Sequence, residues 1–204
     1  MAEPEQTLAA PEAGFTLGIS VSDSPDLARL GLTETHLRMA LGEVARATLI
    51  ARGRITYGGH LEPEGYTTFL IHECEKFGAR DRPFTGCVPW SVHAHLATDQ
   101  LRSLKRDIGL FGRYVYLDVE GKPISGREDT SGTDTEPVDK ATTARALTAL
   151  RVWMTKHTDG RLVLGGQRSG YLGRIPGVIE ETLLSIQAGK PVYIAGGFGG
   201  AAAD

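Results

Sequence analysis

Arg161-Leu-Val-Leu-Gly-Gly-Gln-Arg-Ser-Gly-Tyr-Leu-Gly-Arg-Ile-Pro-Gly-Val-Ile-Glu-Glu-Thr182 reads as a short buried strand, a glycine-rich loop and a helix that opens on proline with two early glutamates. The transition from strand to glycine repeats at once in Pro191-Val-Tyr-Ile-Ala-Gly-Gly-Phe-Gly-Gly200. Strands that end in glycines and feed helix N-termini bring backbone N–H groups close to whatever sits above the sheet edge, an arrangement suited to phosphates. The stretch therefore points to an open α/β sheet whose loops handle a nucleotide.

Working outward, strand and helix signals alternate. Residues 15–21 read as the first strand, and Ser20-Val-Ser-Asp-Ser-Pro25 as a turn-rich break after it. Thr33-Glu-Thr-His36 has the spacing of a helix start before the stripe Leu37, Leu41, Val44 and Thr48, and Gly53 ends that helix. Residues 54–57 form a second strand, broken by Gly58-Gly59-His60. The spacing next predicts a helix over 66–77, a strand over 83–88, a helix over 98–108 with Leu101 and Leu104 inward, and a strand over 113–117. Residues 118–139 are almost free of apolar side chains and too long for a routine connection, so a surface insertion or mobile loop is expected there. A helix resumes over 140–157, with Ala144, Leu147, Leu150 and Met154 on one face. Strands separated by helices of ten or more residues indicate a Rossmann-like α/β fold, a mostly parallel sheet with helices on both faces.

With 204 residues, 41% of them hydrophobic and 23% charged, the chain is long enough for one core and too short to require two. The expected organisation is a flexible tail over 1–13, rich in Ala, Pro and Glu, and one domain over 14–204. A net charge of −3 and a pI near 6.1 give no global attraction to nucleic acid or an anionic membrane, so neither is an expected partner. The acidic N-terminus and the lack of a long apolar run lead to a cytoplasmic expectation. Cys74 and Cys87 read as small packing residues.

Candidate ligand-binding residues fall at the strand exits: Ser20, Ser22 and Asp23 after the first strand, and Gly58, Gly59 and His60 after the second. Gly165 and Gly166 follow a later strand, and Gly196, Gly197 and Phe198 follow the last. The glycine pairs serve equally for tight turns, Ser20 to Asp23 for turn capping, and His60 for a plain loop position. Glu180 and Glu181 lie in a first helical turn, where the helix dipole favours carboxylates whatever their role. His93-Ala-His95 lacks a partner at a convincing spacing, so no metal site is expected.

Taken in order, the serine-rich strand exit, the two glycine pairs, Pro176-Gly-Val-Ile-Glu-Glu181 and the final Lys-Pro-Val-Tyr-Ile strand resemble the SLOG superfamily over roughly residues 15–200. That superfamily includes the LOG phosphoribohydrolases, the N-terminal domains of TRPM channels and the sensor domains of anti-phage systems such as Thoeris. LOG enzymes carry a Gly-Gly-x-Gly-Thr-x-x-Glu segment whose glutamate helps break an N-glycosidic bond. On that pattern Gly165 and Gly166 match the opening pair, Gly177 the later glycine and Glu181 the glutamate. Here ten residues separate Gly166 from Gly177 where LOG has one, and Val178 stands in place of the threonine. The longer loop adds Arg168, Tyr171 and Arg174, a composition suited to gripping a phosphate and stacking a base.

The resemblance thus implies a sensor that binds a signal derived from NAD or ADP-ribose, or another nucleotide signal, in a bacterial defence or signalling system. No cofactor is required on this reading. The alternative is a LOG-like N-glycosidase with Glu181 as its catalytic residue. A homodimer and a fused or associated effector domain are the expected partners. The chain stops at Gly199-Gly-Ala-Ala-Ala-Asp204 just after a strand and glycine loop, so a further helix or an effector region is expected beyond it.

Overall fold

A computed structural model of the chain describes residues 14–78, 82–129 and 138–204. The expected tail over 1–13 and the centre of the expected insertion lie outside the described residues. The elements follow one another as β1 (Thr16–Ser22), α1 (Glu34–Ile50), β2 (Arg54–Tyr57), α2 (Tyr66–Phe77), β3 (Phe84–Val88) and the single turn α3 (Trp90–His93). Then come α4 (Thr98–Ile108), β4 (Gly112–Tyr116), α5 (Lys140–Lys156), β5 (Gly160–Gly165), α6 (Gly177–Gln187) and β6 (Val192–Ala195).

The strands form one parallel sheet in the order β4-β3-β2-β1-β5-β6. The chain runs outward from β1 to β4 and then crosses to the other side of β1. The switch between β1 and β5 leaves a crevice outside their carboxyl ends, the place where open α/β sheets take ligands. In the first half of the chain Arg54–Tyr57, Tyr66–Phe77 and Thr98–Ile108 have the bounds expected from sequence.

Alternation along β1 builds two unlike faces. Leu17, Ile19 and Val21 join Ile55, Leu162 and Leu164 in the main core, closed by Leu37, Leu41, Ala45 and Leu49 of α1 and Leu70 and Cys74 of α2. The buried stripe of α1 thus runs through Ala45 and Leu49 rather than Val44 and Thr48, which are only half-buried. On the opposite face β1 presents Gly18 and Ser20, and β5 presents Arg161 and Val163, under α5 and α6. A Cβ on Gly18 would stand 3.4 Å from the Arg161 guanidinium, so the glycine makes room for a buried cation.

Local signals start the helices. The Thr33 backbone N–H donates to His36 Nδ1 at 3.1 Å ahead of α1. Asp139 caps α5 by accepting from the N–H groups of Ala141 and Thr142. Part of the expected insertion is ordered: Leu117 bridges to Pro123, and a turn over Arg127–Asp129 buries Arg127 against His93. Polar sequence there hides an arginine that donates to the ring and the carbonyl of His93. No helix among the described residues is long and apolar enough to cross a membrane.

Candidate functional site

A cleft of about 1110 Å³ lies over the carboxyl ends of β1, β2 and β5. Small-molecule sites occupy roughly 300–1,000 Å³, so the cleft has room for more than a mononucleotide. The end of β1 supplies Ser20 and Ser22 and the loop after it Asp23, and the loop after β2 supplies Gly58, Gly59 and His60. The loop after β5 and the start of α6 add Tyr171, Gly177 and Glu181. A parallel sheet brings these segments together because all its strands end on one edge.

The other candidate residues stand outside the lining. Gly165 and Gly166 have positive φ of 61° and 98°, and a Cβ on them would strike the Ser22 carbonyl and the Val178 side chain. They set the backbone path beneath the cleft. Arg168 turns away from the cleft to clasp Asp204 with Nε at 2.8 Å and Nη2 at 2.9 Å, while Nη1 reaches Asp26 at 2.5 Å. Arg174 is exposed. Glu180 accepts from Thr148 Oγ1 at 2.6 Å and pairs with Arg151. Gly196, Gly197 and Phe198 form a 3-10 turn, and Phe198 packs at the edge of the main core.

Beneath the cleft lies a buried polar network. Arg161 is 0% exposed, and its Nη1 donates to Glu181 at 2.6 Å and to Ser20 Oγ at 3.0 Å. Its Nε donates to Ser185 Oγ at 2.7 Å and Nη2 to Thr155 Oγ1 at 3.4 Å. Ser20 Oγ in turn donates to Glu181. An arginine without water needs such partners, because an unsatisfied buried charge is strongly destabilising. Arg151, also buried, brings its Nε to 3.7 Å from Glu181 Oε1, beyond hydrogen-bond reach, and that Nε has no acceptor among the described residues. Arg151 contributes to the cleft wall, but this N–H is itself sealed from solvent.

The far wall is aromatic and acidic. Tyr66 O–H donates to Asp23 Oδ1 at 3.0 Å, and the Arg38 guanidinium lies 5.0 Å from the Tyr66 ring centre. Burial, and then the neighbouring Asp23 charge, push the Tyr66 phenol above its usual pKa and keep it a donor. Burial first and Glu181 second do the same to Tyr57, whose hydroxyl donates to the Val21 carbonyl at 3.3 Å.

Sequence reasoning missed Arg38, Tyr57, Tyr66 and Arg151 as parts of this site. Two signals for the network were present: Arg151 lies one turn before Thr155 on the inward face of α5, and Arg161 interrupts an otherwise apolar strand. His93 is 0% exposed, with Nε2 on the Leu117 carbonyl at 3.0 Å and Nδ1 accepting from Arg127 Nε at 3.1 Å. Among the described residues no group of three or more His, Cys, Asp and Glu side chains is placed to hold a metal ion.

A parallel sheet of this strand order, with a polar cleft at its switch point, defines an open Rossmann-like α/β domain. The family model described as SLOG cluster2 matches residues 11–204, and the chain belongs to that family. Comparisons with curated proteins and with solved structures return no match.

Proposed function

We propose that the chain is a nucleotide sensor domain, binding a ligand of the NAD or ADP-ribose class in the cleft between the β1, β2 and β5 loops. The observation that carries the reading is the cleft at the switch point, walled by the ends of β1, β2 and β5 and the loops after them, with Arg151 among its lining side chains. Its size suits two linked nucleoside halves better than one. Glu181 favours binding over turnover: one oxygen already accepts from both Arg161 and Ser20. General acid and base work needs a group free to reach the reacting atom.

A second reading keeps one specific support. Glu181 lines the cleft beside Arg151, so a LOG-like N-glycosidase would find a carboxylate and a guanidinium on the same wall. Calorimetry against NAD, ADP-ribose, cyclic ADP-ribose isomers, cyclic dinucleotides and nucleoside monophosphates, with chromatography of the same samples, separates the two. A sensor returns its ligand intact after long incubation with stoichiometric protein. Free base or nicotinamide accumulating over many turnovers transfers the assignment to the hydrolase. Under the sensor reading the partner is an effector region or a second copy of the chain.

A further inference from the structure

We propose that Asp23 is the residue that reads the sugar of the bound nucleotide, its carboxylate accepting the vicinal 2′- and 3′-hydroxyls of a ribose. The inference rests on the nucleotide reading above and names the end of the ligand that meets the β1–β2 wall.

That wall is acidic. Asp23, Glu34, Glu62 and Glu64 all line it. Arg38, the arginine on this side, is already engaged: Nε donates to Glu34 at 2.7 Å, Nη2 to the Glu64 carbonyl at 2.7 Å, and its plane covers Tyr66. A phosphate placed here would meet four carboxylates against one arginine that already carries an ion pair, so this end of the cleft favours hydrogen-bond donors. The donors of a nucleotide are its sugar hydroxyls and the amino group of its base. Of these, the ribose diol offers two hydroxyls side by side, a spacing that one carboxylate spans with both oxygens.

Among the four carboxylates Asp23 is the one fixed in place and still free to accept. Its Oδ1 is held by the hydroxyl of Tyr66, a side chain only 8% exposed and braced by Arg38. Its Oδ2 has no partner among the described residues, and the residue itself is exposed. Glu34 is tied to Arg38 by an ion pair. Among the described residues, no hydrogen bond or ion pair holds the carboxylates of Glu62 and Glu64. Arg151, the other arginine of the lining, belongs to α5, away from this wall. The cleft is therefore directional: sugar diol at Asp23, phosphate toward α5.

The test is calorimetry of the full chain with three pairs: AMP and 2′-deoxy-AMP, ADP-ribose and its 2′-deoxy form, NAD and NADP. Removing the hydroxyl that meets a charged acceptor should weaken binding about ten- to a hundredfold. A phosphate on the same oxygen, as in NADP, should abolish it. In Asp23→Asn the ribo probe should fall to the affinity of the deoxy probe, while the deoxy probe changes little. Tyr66→Phe should give a smaller loss in the same direction, with both variants first shown to unfold at the parent temperature. Equal binding of ribo and deoxy probes by the parent overturns the inference and leaves nucleotide binding standing. A ribose preference that survives in Asp23→Asn overturns it as well. If none of AMP, ADP-ribose and NAD binds, the nucleotide reading falls and this inference falls with it.

Discussion

Arg161 shows how one side chain joins stability to function. A guanidinium on a buried strand is tolerated because Glu181, Ser20, Ser185 and Thr155 converge on it from β1, α6 and the end of α5. Removing one partner leaves the charge buried and under-satisfied, at a cost of about 3–5 kcal/mol. Glu181→Ala should therefore lower the urea unfolding free energy by about that amount, whereas an Arg161→Met, Glu181→Met double variant recovers most of it. Loss of much less than 1 kcal/mol in the single variant would show that the pair is not buried in solution. The same coupling means that a drop in activity of Glu181 variants says nothing about catalysis until their folding has been checked. Intact ligand with the parent protein remains the cleaner criterion.

At the scale of elements, the turn from β5 into α6 decides where the cleft floor lies. Gly166 adopts a φ of 98°, and a Cβ there would come within 2.4 Å of Val178 Cγ2. Gly170, in the same loop, has a φ of 74° but open space around it. Alanine at either position incurs roughly 1–2 kcal/mol of left-handed backbone strain. Gly166→Ala should exceed Gly170→Ala in denaturant midpoint loss, and adding Val178→Ala should return part of the difference. Equal losses at the two sites would mean that the floor gives way without resistance. The loop's arginine is a separate matter. Arg168 ties it to Asp26 and Asp204, so Arg168→Ala should loosen the C-terminal turn, seen as faster amide exchange at Gly200, whose N–H donates to Asp26.

For the whole molecule, acid should act in two windows. Burial, reinforced by Arg127, holds the His93 pKa below its usual value, although its bond to the Leu117 carbonyl works the other way. The unfolded chain then binds a proton that the folded one refuses, so stability is full above about pH 6.5 and declines below it. The Gly200 N–H and Arg168 hold Asp26 down at about 2, and Glu128, Asp139 and Asp204 are also lowered, Glu128 and Asp204 chiefly by Lys105 and Arg168. Their stabilisation is present above their unfolded values near 4 and is lost as pH falls toward the folded ones. Thermal melts from pH 8 to pH 2 should begin to fall below about 6.5 and fall again below about 4. His93→Gln should remove the first fall and leave the second.

The sequence by itself determined the α/β class, most element positions and the loops that reach the sheet edge, because period and glycine punctuation are local properties of the chain. Gly58-Gly59-His60 and Ser22-Asp23 were legible as strand exits for that reason. The side-chain assignments within the site were not. Nothing in the sequence tells that Arg151 keeps an N–H without an acceptor among the described residues while Arg161 spends its donors on neighbours far away in the chain. Arg168 looked like a cleft residue until the fold set Asp26 and Asp204 beside it. Tyr66 and Asp23 meet across 43 positions of chain. Only the tertiary structure decides such pairings, because hydrogen bonds and ion pairs depend on distances of a few ångströms that the strand order, not the local sequence, brings about.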